Sequence, residues 1–281
     1  MKKENKAFYQ TNPYKVNSID GKKFVAVDTV RTDTMNVSDG NGKTGKHVAC
    51  INFPIFYTCR HNCECYKSGK CYACGGCYNF ASNQATYSEN LAFIRNNPFE
   101  IVVAAIVNGI REKGFTLSRY FTCGDIPNGM FFDVMVEVAR RMDGVTFWAY
   151  TKKYGIVNSW CDAHGVDAMP HNLTIIFSHW RNDDGTYYPM DNPYRFPTSE
   201  FIPVGCEHLV DGVTHVCPCS DPSVVATCET CEHPCYKLQH GESMALLEHS
   251  TAASKERDDA VRAAHEALKK ARKTRKGGKA A

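Results

Sequence analysis

Between Leu117 and Trp180 the chain alternates two kinds of apolar pattern. Short runs rich in β-branched and aromatic residues, LSRYFTCGD at 117–125, TFWAYTKKY at 146–154 and LTIIFSHW at 173–180, are separated by the helical patterns MFFDVMVEVARRMDG at 130–144 and IVNSWCDAHG at 156–165. Strands separated by helices predict right-handed βαβ units and a parallel sheet. Upstream, HVACINFPIFY at 47–57 reads as a further strand. Ser88 is expected to cap the helical pattern of 88–114, which Pro98 splits into two helices. The expected fold is therefore α/β, a partial (β/α) barrel or open parallel sheet over residues 47–200. An irregular arm at 1–46, with the turn-rich SDGNGKTGK, precedes it. A cysteine-rich module at 201–240 and a basic tail at 241–281, helical or disordered, follow it.

In parallel sheets of this kind, ligands bind beyond the carboxyl ends of the strands. Those ends carry the chemistry here: a cysteine-dense stretch after the first strand, then Cys123-Gly124-Asp125, Thr151-Lys152-Lys153 and Ser178-His179-Trp180. Four consecutive strand ends are expected to face one pocket.

The 281 residues contain fifteen cysteines, and all but Cys123 and Cys161 lie between Cys50 and Cys77 or between Cys206 and Cys235. The opening MKKENKAFYQ has no apolar signal segment, so a cytoplasmic, reducing setting is expected, in which clustered thiols mean metal or cluster ligands rather than disulfides. No run approaches the roughly 18 apolar residues of a membrane span. The net charge of +3 owes much to the tail between Lys269 and Lys279 and says little about the body. No heptad pattern bears on oligomeric state.

The first block offers Cys59, Cys63, Cys65, Cys71, Cys74 and Cys77. Three of these thiols can hold a 4Fe–4S cluster with one open iron, the arrangement by which radical S-adenosylmethionine (SAM) enzymes chelate the methionine end of SAM. The usual spacing there is three residues and then two. Cys59 and Cys63 satisfy the first gap, and Cys65 comes one residue early. Cys71, Cys74 and Cys77 carry ferredoxin-like spacing, so more than one ligand set is open, and zinc is the competing occupant. Gly124 and Asp125 stand where such barrels seat the methionine amine; the structural alternative is a turn in which Asp125 caps the next helix. Lys152 and Lys153 can hold a carboxylate or phosphate, or simply be solvated. Ser178, His179 and Trp180 can contact an adenine or a substrate base, or pack as ordinary core. The second block offers Cys217, Cys219, Cys228, Cys231 and Cys235 beside Cys206, with His208, His215 and His233 interspersed. It suits structural zinc or an auxiliary cluster.

The series NFPIFYTCRHNCECYKSGKCYA, ENLAFIRNNPFE, YFTCGDIPNGMFFDVMVEVARR, TFWAYTKKYGIVNSW, NLTIIFSHW and TCETCEHPCY resembles the phage gene product 88 family over residues 47–240. The resemblance implies a phage-encoded, cysteine-rich protein acting in the host cytoplasm, and no assigned reaction. The positions matching its motifs are Cys59, Cys63 or Cys65, Cys71, Gly124, Asp125, Thr151 to Lys153, Asn158, Ser178, Trp180, Cys217, Cys228, Cys231 and Cys235. Cys74, Cys77 and Cys123 stand as additions of this sequence.

Two functions follow from the residues. One is a radical SAM-type enzyme with Asp125, Lys152 and Lys153 at the reacting centre. It would be fed by a flavodoxin or ferredoxin and would modify a nucleobase or a protein. The other is a non-catalytic zinc protein that binds nucleic acid or a protein partner, with the basic tail on phosphates. Thiol redox chemistry through Cys71-Tyr72-Ala73-Cys74 is a poor third, because Gly75-Gly76 follows at once where a helix should begin.

Overall fold

The computed structural model describes residues 15–19, 22–59, 63–180, 186–202, 213–220, 224 and 226–248. In chain order the main elements are β1 (Val16–Ile19), β2 (Lys22–Val25), β3 (Ser38–Asp39), β4 (Val48–Ile51), α1 (Ile55–Thr58), α2 (Glu64–Lys67), α3 (Ala81–Asn96), α4 (Phe99–Lys113), β5 (Leu117–Tyr120), α5 (Gly129–Arg141), β6 (Thr146–Thr151), α6 (Tyr154–His164), β7 (Leu173–Trp180), β8 (Thr198–Ile202), β9 (His215–Val216) and β10 (Ser243–Leu247). β1 and β2 form an antiparallel hairpin. The other eight strands form one sheet in the order β3-β4-β5-β6-β7-β8-β10-β9, parallel throughout except for β3.

From β4 to β8 each crossover advances one position in the same direction. With right-handed connections, such an order sets the helices on one face of an open sheet. The packing agrees: Ala49, Ile51, Tyr120, Phe147, Ala149, Leu173, Ile175 and Phe177 share a core with residues of α3, α4, α5 and α6. The alternate residues Val48, Cys50, Trp148 and Ile176 pack on the opposite face against Cys217, Cys219, Cys235, Leu238 and Met244. Both faces are thus covered, which is why β4 reads as the unbroken buried run VACI instead of alternating.

Local chemistry sets the boundaries. Pro98 separates α3 from α4 as expected, since it lacks the N–H a continuous helix needs. Gly114 ends α4 in the left-handed conformation. Asn128, not Asp125, caps α5: its side chain accepts from the Phe131 N–H at 2.9 Å. Ser88 is likewise no cap. α3 begins seven residues earlier, at Ala81, and the Ser88 hydroxyl donates to the Val25 carbonyl at 2.8 Å, so a residue with capping chemistry serves as a buried tie to β2.

The ends of the chain depart from expectation. The stretch 1–46 contributes the β1–β2 hairpin and the edge strand β3, so its described part is ordered against the core. β8, β9 and β10 were not legible as strands. Because β8 precedes the second cysteine block and β10 follows it, that block is an excursion between two neighbouring strands and not an appendage beyond the sheet. The expected tail beyond 248, with Cys206 and His208, lies outside the described residues. No helix among the described residues is long and apolar enough to cross a membrane.

Candidate metal and cofactor site

The first block leaves β4 through Asn52, whose side-chain oxygen accepts from Thr122 Oγ1 at 2.7 Å and from the Cys123 N–H at 3.0 Å. This locks the ends of β4 and β5 together. Pro54 then starts α1, and α1 delivers Cys59 at its carboxyl end. Cys63 and Cys65 flank the start of α2 with their sulfurs 3.0 Å apart. Cys65 is also within hydrogen-bonding reach of Cys71, and Cys71 of Cys74. Cys59 lies in the field of Cys63, Cys71, Cys123 and Asp125. Three sequence-predicted ligands, Cys63, Cys65 and Cys71, are therefore linked in a row that continues to Cys74, and Cys59 lies within their field. Cys77 is the exposed outlier. Cys123, read as an addition, joins the group from the end of β5.

Burial first, and then Asp125, push the Cys59 thiol well above its ordinary value. The contact with Cys65, reinforced by burial, does the same to Cys63. The Cys63 contact pulls Cys65 down, but Cys71 and burial outweigh it and leave Cys65 at about 11. Cys71 is lowered by Cys65 and raised by Cys74 and burial, also to about 11. Left to themselves these thiols are neutral; a metal is what would ionise them.

At the neighbouring strand ends, Asp125 is a buried hub. Its Oδ1 accepts from Thr151 Oγ1 at 2.6 Å and from the Ile126 N–H at 2.8 Å, and its Oδ2 accepts from the Lys152 N–H at 3.0 Å. Burial raises its carboxyl, and these hydrogen bonds pull it back. Its own N–H donates to Thr58 Oγ1 at 3.1 Å, one residue before Cys59. Lys152 Nζ donates to Ser178 Oγ at 2.7 Å and stands 5.6 Å from the centre of the Trp180 ring. The Trp180 ring is buried and stacks flat on Phe201, with centroids 4.4 Å apart. His179 stacks on Tyr187 and bonds the Tyr188 carbonyl. Asp125, Lys152, Ser178 and Trp180 thus form one network, with Gly124 beside it against Phe53 and Thr58. Lys153 is spent differently, as the residue before α6, with its N–H on Thr151 Oγ1. Asn158 reaches away to Asp191.

In the second block Cys217, Cys219 and Cys228 are in mutual reach, the middle thiol contacting both others. The contact with Cys219 lowers Cys217, and the same contact raises Cys219. Cys231 and Cys235 lie in the field of Cys217 and Cys228. Cys235 contacts Met244 Sδ at 3.3 Å and the Tyr150 hydroxyl. The segment is tied to the N-terminal turn by Cys228 N–H to the Lys43 carbonyl at 2.9 Å, and by Glu229 to His47. His215 and His233 stack on each other.

Among the described residues no three Cys, His, Asp or Glu side chains surround a common centre at ligand distance. The sulfurs are drawn instead into direct contact with one another. The donor chemistry fits a soft metal or an iron–sulfur cluster in either block, since it is thiolate-rich and little diluted by carboxylate. A cavity of about 20 Å³, room for one water, lies beside Cys123 and is lined by Ala73, Tyr78 and Tyr87. The larger depression is on the helical side, between α5 and α6 around Trp160.

Sequence reading missed Asn52, which joins two strand ends, and Arg119, which projects from β5 onto the face covered by the second block. An arginine in the otherwise apolar alternation of LSRYF was the available signal for the latter.

No curated protein and no solved structure matches the chain. The family model described as Gene product 88 matches residues 35–196, which takes in the first cysteine block and strands β3 to β7. That match spans more than half of the sequence, and the chain belongs to the Gene product 88 family.

Proposed function

We propose that the chain is an iron–sulfur enzyme of radical SAM type that modifies a nucleobase or a protein. The observation that carries this reading is the row of contacting thiols Cys63, Cys65 and Cys71 on the loop after β4, with Cys59 in their field and Thr58 beside it joined to Gly124-Asp125 at the end of the adjacent strand. In this reading Cys59, Cys71 and either Cys63 or Cys65 hold a 4Fe–4S cluster. When bound, the cluster supplies the electron for reductive cleavage of SAM.

The chain's own residues do the rest. Gly124 lets the β5 end lie close against the backbone at Phe53. Asp125 spends its oxygens on Thr151, Ile126 and Lys152, so it acts as a positioning residue that fixes the turn before Lys152. Lys152 acts on the thiols, lowering both Cys63 and Cys65, and Ser178 accepts from its ammonium. It is suited to hold the carboxylate or phosphate of a bound molecule. The open sheet of consecutive parallel strands supports the same reading.

The test is iron, sulfide and zinc content with a visible spectrum on protein purified without oxygen, followed by SAM cleavage under dithionite. About four irons or more per chain, with a broad band near ~400 nm and deoxyadenosine formation, are expected; Cys59→Ala should lose the cleavage and the first-block absorbance while staying folded. Zinc without iron, or cleavage retained in Cys59→Ala, overturns the assignment.

A further inference from the structure

The thiols of the first block touch in sequence order. Cys63 and Cys65 have their sulfurs 3.0 Å apart, Cys65 also reaches Cys71, and Cys71 reaches Cys74. The backbone builds this row. Lys70 N–H donates to the Cys65 carbonyl at 3.0 Å, which folds the chain back so that Cys71 meets Cys65. Cys74 N–H donates to the Cys71 carbonyl at 3.0 Å in the short 3-10 turn Tyr72–Cys74. Gly75 ends that turn before it becomes a longer helix, and the single turn is enough to pair its two thiols.

A row differs from a chelate. Two thiolates on one tetrahedral metal, each about 2.3 Å from it, stand about 3.8 Å apart. Cys63 and Cys65 are closer than that, and about 1 Å of approach brings them to bonding distance. Each inner sulfur has a neighbour on either side, as thiol–disulfide exchange requires: an attacking sulfur, a central one and a leaving one. Cys63 is 8% exposed, whereas Cys65, Cys71 and Cys74 are half-buried and within reach of a small reagent.

We propose that Cys63, Cys65, Cys71 and Cys74 form a thiol–disulfide exchange site that reacts with a low-molecular-weight disulfide and passes the protein disulfide between two pairs, Cys63–Cys65 and Cys71–Cys74, through Cys65–Cys71. The inference goes beyond the iron–sulfur reading and does not require it. One protein thiol attacks a sulfur of the small disulfide; a mixed disulfide forms, and half of the reagent leaves as a thiolate that takes up the proton. The neighbouring thiol attacks the mixed disulfide, the protein disulfide forms, and the second half leaves in the same way. Two protein thiols are oxidised and one small disulfide is reduced to two thiols. Well-oriented groups in one molecule react at effective concentrations of about 10⁵ M or more, so the neighbouring thiol resolves the mixed disulfide before it accumulates.

The experiment uses the full-length, metal-free chain with glutathione disulfide under anaerobic conditions. Remaining thiols are alkylated after an acid quench, and tryptic peptides are mapped without reduction. Cys63 and Cys65 share peptide 61–67, and Cys71, Cys74 and Cys77 share peptide 71–95, so Cys65–Cys71 is the bond that joins the two. Limiting oxidant should give the joined peptides together with both internal disulfides. Excess oxidant should give Cys63–Cys65 and Cys71–Cys74 with Cys77 alkylated. C63S/C74S, which removes both ends of the row, should trap Cys65–Cys71. In guanidinium, Cys63–Cys65 should form about 10-fold or more less readily.

Glutathione adducts that persist in the folded chain, pairing with Cys59, Cys77 or Cys123, or equal pairing in guanidinium overturn the proposal. If C63S/C74S fails to fold by circular dichroism, the wild-type map decides: absence of joined peptides at every oxidant level overturns the exchange between pairs. Iron binding without these disulfides removes this inference alone, and these disulfides in a chain that binds no iron remove the cluster reading alone.

Discussion

Gly124→Ala isolates what the glycine at the end of β5 does for the fold from what it does for a ligand. Its φ is +87°, and a Cβ built there would lie 2.5 Å from the Phe53 carbonyl oxygen and 2.9 Å from Thr58 Oγ1. The first obstacle is backbone and cannot rotate away. The second accepts the Asp125 N–H and donates to the Pro54 carbonyl, so it cannot move without breaking two hydrogen bonds. The left-handed conformation costs a non-glycine residue about 1–2 kcal/mol, and forcing a methyl into a packed site costs about 1–3 kcal/mol more. A total of about 2–5 kcal/mol is a large part of the roughly 5–15 kcal/mol that separates folded from unfolded domains. For a chain of this size it corresponds to a melting point lower by about 3–9 °C. The assay is thermal and urea unfolding of metal-free protein, so that no ligand contributes. A metal-free G124A chain with wild-type stability, within about 0.5 kcal/mol, would refute the close approach to Phe53 and leave the glycine with a purely ligand-facing role.

Asn172→Ala should destabilise the chain by about 2–3 kcal/mol without altering metal content. The buried Asn172 amide nitrogen donates to the carbonyls of Ala139, Met142 and Val145 at 3.0, 3.1 and 2.9 Å, closing the turn from α5 into β6 from its inner side, and equilibrium unfolding reads the loss. Cys161 is 2% exposed, and burial raises its thiol from 9.0 to about 11. The native chain therefore holds a proton that the unfolded chain gives up near 9.0. The stability this thiol contributes is complete below that pH and falls as pH rises toward about 11. At pH 8, iodoacetamide should spare Cys161 in folded protein and modify it in guanidinium, as peptide mapping would show; labelling in the folded chain at the unfolded rate would contradict its burial.

Much of the middle of the chain was legible because its signals are local. The strand–helix alternation from 117 to 180 follows from side-chain periodicity and turn chemistry, and β7 runs from Leu173 to Trp180, the full LTIIFSHW pattern. Pro98 divides two helices because proline lacks a donor wherever it stands. Ser88 shows the limit: nothing in the sequence tells that its hydroxyl will meet the Val25 carbonyl across 63 residues, so cap and core residue look alike. β8 to β10 were invisible for a related reason. Ser243–Leu247 is a short polar-to-apolar run whose strand identity comes from pairing with Thr198–Ile202.

The candidate site divides in the same way. Sequence alone determined that thiols, Gly124-Asp125, Lys152 and Ser178 would gather at one edge of a parallel sheet, because strand direction and residue order fix which end each occupies. Only the tertiary structure decided that Asp125 spends its oxygens on Thr151, Ile126 and Lys152, that Cys123 joins the first thiol group, and that the second block covers the sheet opposite Arg119. Those are contacts between residues far apart in the chain, set by how the strands stack and which faces they bury, and periodicity carries no record of them.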